Sequence, residues 1–149
     1  MFLTADQLLA HLVGDYLIQS HWMANEKTKK KVAAAAHAFS YSLPFLFLTT
    51  SWKAMVFIVV THFVIDHWRL ARYVVWAKNF LQPTFTAPAV CDDIGRVIQA
   101  ERHLRNYPWA ECVGTGYHKD QPPWLAVWLL IIADNTLHLI CNAAALKWL

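Results

Sequence analysis

The sequence predicts an all-α protein: a four-helix transmembrane bundle with a cytoplasmic cap containing a short amphipathic helix. Three observations predict it. Hydrophobic residues make up 57% of the 149 and charged residues only 15%, a balance tilted away from an ordinary soluble domain. Four predominantly apolar runs, at about 2–22, 32–50, 52–78 and 124–149, are each close to the length that crosses a bilayer. Several of the eight tryptophans (Trp22, Trp52, Trp76, Trp124 and Trp148) fall near the ends of these runs, where membrane proteins carry their aromatic belts.

By length the chain is one membrane domain, 1–149. A net charge of +3 is too small and too scattered for nucleic-acid binding, so no nucleic-acid partner is expected. Cys91, Cys112 and Cys141 show no C-x-x-C spacing, and packing or a reducing compartment accounts for them. The first apolar stretch lacks a basic leader and a small-residue cleavage site, so it reads as a retained helix.

The first segment, 2–22, carries Asp6, His11, Asp15 and Gln19. The last three drift slowly around a helix and form one polar stripe, with Leu8, Leu9, Leu12 and Ile18 elsewhere. Such a helix belongs in a bundle with its stripe turned inward; an interfacial amphipathic helix is the alternative. Asn25–Lys31 (N-E-K-T-K-K-K) is the densest basic run and reads as a solvated cytoplasmic loop under the positive-inside rule.

The second segment, 32–50, opens on A-A-A-A after Val32 and holds His37 and Tyr41 four residues apart, on one helical face. Small residues permit close helix approach, and Pro44 predicts a kink. The third segment, 52–78, contains V-T-H-F-V-I-D, which sets His62 and Asp66 four apart; Arg69 and Tyr73 continue that face. Arg69, Arg72 and Lys78 assign its end to the cytoplasm. The expected topology therefore starts outside, runs in, out and in, and ends outside.

The connection 79–123 holds most of the prolines and an expected amphipathic helix from about Ala89 to Tyr107. There Val90, Ile94, Val97, Ile98 and Leu104 interleave with Asp92, Asp93, Arg96, Glu101, Arg102 and Arg105. A connection this long is expected to be functional, here as a cap over the bundle mouth. Gly114–Pro123 is turn-rich but lacks the spacing and strand context of a phosphate-binding loop. The fourth segment, 124–149, is apolar apart from Asp134, Asn135, His138 and Asn142, and Asp134, His138 and Asn142 share a face.

Histidine and aspartate thus recur at i, i+4 in three apolar segments, and His37 joins from another. Ionisable residues at membrane depth are costly and mark function. At 1.5 Å rise per residue, all four segments place these residues in the cytoplasmic half of the bilayer. The expected metal ligands are His11, Asp15, His37, His62, Asp66, Asp134 and His138. Imidazoles and carboxylates in this number suit two divalent ions, zinc or alternatively manganese or iron. Two such ions activate water and clamp a phosphoryl centre. Arg69 is the expected catalytic group on the substrate phosphate; Arg72 and Gln19 are the expected substrate contacts.

Blander readings stand beside this one. A His/Asp pair can be a structural hydrogen bond between helices, and Asp134 with His138 can belong to a proton or ion path. Arg69 and Arg72 can be topological anchors. Tyr41 reads as packing or as a donor to a ligand, and His21, His67, His103 and His118 as ordinary surface histidines.

The residues H-L-V-G-D-Y-L-I-Q (His11–Gln19), His37 with Tyr41, H-F-V-I-D-H-W-R (His62–Arg69) and D-N-T-L-H in the last segment resemble a family of small bacterial and phage integral membrane proteins of unknown function. The H-x-x-x-D pattern is more distantly similar to membrane-bound metal-dependent hydrolases of bacterial inner membranes. Together these imply a multi-pass protein of the bacterial inner (cytoplasmic) membrane. The expected activity is metal-dependent hydrolysis of a phosphoester, either a lipid phosphate or a small phosphoester, from the cytoplasmic side. The partners are then the lipid bilayer and a small-molecule or lipid substrate, and a homo-oligomer is compatible with the sequence. A transporter or proton/metal conduit is the chief alternative. An oxygen-activating di-iron enzyme and a metal-free structural protein are others.

Overall fold

The computed structural model describes residues 3–81, 85–87, 89–99, 102–104, 109–112, 114–119 and 121–149. The chain is mostly helical and divides into two compact units, Met1–Leu70 with Asp134–Leu149, and Ala71–Ala133.

In the first unit, α1 (Ala5–Leu12) starts where the Thr4 hydroxyl accepts from Gln7 N–H at 3.3 Å, a side-chain cap on an otherwise unpaired donor. It continues into a π-helical turn, Val13–Ile18, and stops at Gln19, whose backbone is extended. Helix α2 (His21–Glu26) then begins under the Ser20 hydroxyl, which accepts from Met23 N–H at 3.3 Å. The expected first span of 2–22 is therefore not one helix; the Ser20 cap starts a new one. Phe2 lies outside the described residues.

Helix α3 (Lys31–Ser42) passes into a 3₁₀ turn, Leu43–Phe47, because Pro44 has no N–H for the α-helical ladder. Helix α4 (Trp52–Trp68) is capped by the Ser51 hydroxyl, which accepts from Ala54 N–H at 3.4 Å. It ends at Arg69, a left-handed residue with φ 52° whose N–H returns to Asp66 O. Helix α5 (Leu70–Phe80) follows. The expected third segment, 52–78, is thus two helices, and Arg69 closes the first rather than continuing its face.

Helix α6 (Pro123–Trp148) opens on proline, which suits a first helical position because its missing N–H would be unpaired there anyway. Ala10, Tyr41, Phe45, Ala54, Ile58 and Ala145 form the buried core of the first unit. Alanine on α1, α4 and α6 lets these helices approach closely.

The second unit corrects the expected amphipathic helix over 89–107. Its described residues form short antiparallel strands: β1 (Phe85–Ala87) pairs with β4 (Arg102–Leu104), and β2 (Val90–Cys91) with β3 (Val97–Gln99). Ala100, Glu101 and residues 105–107 of that stretch lie outside the described residues. The cause is local. Asp92 Oδ1 accepts from Ile94 N–H (3.1 Å) and Arg96 N–H (2.7 Å), and Gly95 adopts φ 80°. An aspartate that takes its neighbours' N–H groups competes with helix, and glycine supplies the left-handed turn. Around α5, Val75 packs with Tyr117 and Ala126, and Asn79 Nδ2 donates to Gly116 O at 3.2 Å.

Among the described residues, α6 is long and apolar enough to cross a membrane; α4 and α5 together would be, but are interrupted at Arg69. Helix α1 with its π turn (8 and 6 residues) and α3 with its 3₁₀ turn (12 and 5 residues) fall short of the roughly 20 residues a straight span needs.

Candidate metal centre

Four elements of the first unit deliver side chains to one place. The π turn brings Asp15, α3 brings His37, α4 brings His62 and Asp66 one turn apart, and α6 brings His138. Gly14 makes the approach possible: a Cβ there would stand 2.6 Å from Tyr41 Cδ2 and 2.7 Å from Tyr41 O. A single turn of π-helix is a recurrent feature of functional sites, and here it carries Asp15.

The side chains form two overlapping groups, Asp15–His37–His62 and His62–Asp66–His138. His37 Nε2 and His62 Nε2 are 2.9 Å apart. Asp15 Oδ1 lies 3.3 Å from the first and 3.4 Å from the second. Asp66 Oδ2 lies 3.1 Å from His37 Nε2 and 3.2 Å from His62 Nε2. The other Asp66 oxygen, Oδ1, faces His138 Nε2 at 3.3 Å. His37, His62 and His138 are fully buried, and Asp66 nearly so.

These separations are compatible with a coordination sphere. Nitrogen and oxygen ligands held at about 2.0–2.1 Å around a tetrahedral ion stand about 3.3–3.4 Å from each other, and the separations above run from 2.9 to 3.4 Å. Hydrogen bonding within the protein leaves the group short of partners. Asp15 Oδ1, which faces the two Nε2 atoms, is buried without a hydrogen-bond partner, and a buried polar atom in that state calls for an explanation such as an ion. The clusters can hold a metal ion.

The other expected ligands sit beside these groups. His11 is buried; its Nδ1 lies 2.8 Å from Tyr41 Oη and 3.5 Å from Asp15 Oδ2, and its Nε2 3.2 Å from Asn135 Oδ1. Asp134 is partly exposed and reaches His138 Nε2 at 3.5 Å. Tyr41 is fully buried, stacks on His62 and accepts from Asn142 Nδ2 at 2.6 Å. It steadies two histidines at once.

Of the expected substrate groups, Gln19 accepts from Lys27 Nζ at 3.5 Å. Arg69 stands exposed at the end of α4. Arg72 belongs to the second unit; its Nη2 donates to Tyr73 Oη at 2.7 Å and its guanidinium lies over the Tyr73 and Trp109 rings.

Lys27 is the residue that the sequence reading missed. Its Nζ donates to Asp66 Oδ2 at 2.8 Å and lies 3.3 Å from His37 Nε2. Three lysines of the same run, Lys29, Lys30 and Lys31, are exposed, as a solvated loop requires.

Two of the expected surface histidines are corrected. His118 is buried, with Nε2 2.7 Å from Glu111 Oε2. That hydrogen bond, with Lys119 nearby, holds the Glu111 carboxyl below the ordinary glutamate range. His67 is half-buried and its Nδ1 donates to Lys27 O at 2.9 Å. His21 is exposed, as expected, and the His103 side chain lies outside the described residues.

Residues 3–87 match the family described as "Protein of unknown function (DUF3307)". The chain belongs to this family. The matched stretch contains Asp15, His37, His62 and Asp66, and with them Lys27 and Tyr41; His138 and Asp134 lie beyond it. Comparisons with curated proteins and with solved structures return no match.

Proposed function

We propose that this DUF3307 protein is a membrane-embedded, metal-dependent hydrolase of a phosphoester. The observation that carries the reading is the convergence of Asp15, His37, His62 and Asp66 at separations of 2.9 to 3.4 Å. His138 and Asp134 extend the centre on the other side of Asp66. Asp15, His37, His62, Asp66 and His138 would hold the ions, zinc being favoured by the mixed imidazole and carboxylate set and manganese or iron being the alternatives. Such ions lower the pKa of bound water and neutralise charge on a phosphoryl group. The chain's part is to fix the ligands, with Tyr41 stacked on His62, and to admit an anion beside Lys27.

The membrane reading is supported by what the first unit shows to its surroundings. Leu17, Phe47 and Trp52 are at least 70% exposed, and Leu9 and Phe39 more than 60%. Apolar surface on that scale marks contact with lipid or protein. With α6 as one span, the broken helices would complete a multi-pass arrangement, and the π turn that carries Asp15 would lie against the polar centre, the place where irregular backbone is tolerated within a membrane. A lipid phosphate or a small phosphoester is the proposed substrate.

A second reading has its own support. Lys27, Asp66, His138 and Asp134 form a file of contacts at 2.8, 3.3 and 3.5 Å, which suits a proton or metal conduit. Elemental analysis of detergent-purified protein, with turnover of nitrophenyl phosphate and phosphatidic acid before and after chelation, separates the two. Bound metal with chelator-sensitive ester cleavage supports the hydrolase. Bound metal without cleavage, together with flux across vesicles, supports the conduit. Protein that binds no zinc, manganese or iron after repletion sinks both metal readings.

A further inference from the structure

Lys27 is the cation in the centre that no ligand role explains. It terminates α2, and its carbonyl accepts from His67 Nδ1 at 2.9 Å, which ties the position to α4. Its ammonium touches Asp66 Oδ2, His37 Nε2 and Gln19 Oε1. The side chain is 19% exposed, so Nζ has the centre on one side and solvent on the other. Lys29 and Lys30, 69% and 63% exposed, stand in the same run. Both are paired with Glu26, at 3.9 and 2.9 Å, so Lys27 is the lysine of the run that turns its charge to the centre.

An ammonium beside the ligands of a divalent ion is electrostatically unfavourable by itself, since like charges a few ångströms apart repel. Without an ion, Asp66 itself neutralises the ammonium; an ion taken up by Asp66 would remove that partner, and an anion between the two would replace it. A phosphoryl oxygen does this: it accepts from Nζ on one side and faces the metal ligands on the other, in a charge-assisted hydrogen bond. Arg69 was the expected holder of this anion, and Arg69 is exposed at the helix end.

We infer that Lys27 is the substrate-binding cation of the centre, taking a phosphomonoester or phosphodiester anion beside Gln19, His37 and Asp66. The inference rests on the metal reading above. On anion entry Nζ exchanges Asp66 Oδ2 for a phosphoryl oxygen, and no covalent bond changes.

The probe is inorganic phosphate, titrated calorimetrically into metal-loaded full-length protein in detergent, for wild type, Lys27→Met and Lys27→Arg. Metal content of each variant is measured separately, so failure of the metal centre is told apart from failure of the Lys27 assignment. The expected result is unchanged metal content in all three. Phosphate affinity should be about 10- to 100-fold weaker in Lys27→Met, as for loss of a charged hydrogen bond, and largely restored in Lys27→Arg. Equal phosphate affinity in wild type and Lys27→Met overturns the assignment, as does metal-loaded wild type that binds no phosphate. Loss of metal in Lys27→Met also overturns it, because Lys27 would then be a structural counter-ion of Asp66.

Discussion

The phenol of Tyr41 lies face to face on the imidazole of His62, with ring centroids 3.6 Å apart and planes 17° from parallel. Its hydroxyl meanwhile sits between His11 Nδ1 at 2.8 Å and Asn142 Nδ2 at 2.6 Å. One side chain thus orients a ligand through its face and ties two helices together through its oxygen. Tyr41→Phe keeps the stack and removes the oxygen. Two buried polar groups then lose a partner, which costs about 1–3 kcal/mol. Denaturation should show that loss while metal content stays at the wild-type level; loss of metal would mean that the hydroxyl holds the ligand set together.

Gly14→Ala tests the close approach beneath the site. The added methyl would fall within 2.7 Å of the Tyr41 backbone oxygen, and backbone cannot swing aside as a long side chain can. The π turn must move away from α3, taking Asp15 from His37. Overpacking of this kind costs about 1–3 kcal/mol. Unfolding and metal titration should both be affected, with Asp15→Asn matching the metal defect but not the stability defect.

His62 belongs to both groups and His138 to one. His62→Ala should therefore abolish metal binding, whereas His138→Ala should leave the Asp15–His37–His62 group loaded. Elemental analysis of both variants decides this, and identical residual metal in the two would contradict the overlapping arrangement.

In the second unit, Glu111 carries a pH signature. The His118 hydrogen bond depresses its folded-state pKa from the ordinary 4.5. The group therefore contributes stability that is fully present above pH 4.5 and lost as the pH falls through the depressed value. Glu111→Gln should flatten that part of the stability profile, read by thermal unfolding between neutral and acid pH, and leave metal binding untouched.

Much of the centre was legible in the sequence because histidine and aspartate four apart must share a helical face. Those pairs in apolar runs carry a desolvation cost that decoration does not justify. Asp15, His62, Asp66 and His138 came from that argument, and His37 from its matching depth in another segment. Lys27 did not, because a lysine in a basic run looks solvated wherever its ammonium goes. The break at Arg69 was also silent: no glycine or proline marks it, and a left-handed arginine is rare. In the second unit, charges between Val and Ile imitate a helical pattern, and only the Asp92 side-chain bonds with Gly95 turn the chain back as strands.

Asp66 offers one oxygen to the His37–His62 side and the other to His138. A positive ion on either oxygen draws electron density from the whole carboxylate and fixes its rotation for the neighbour. On the two-ion proposal the two halves would not fill independently. Their affinities would be thermodynamically linked through one side chain, and the shape of the loading curve, not only its endpoint, would report on Asp66.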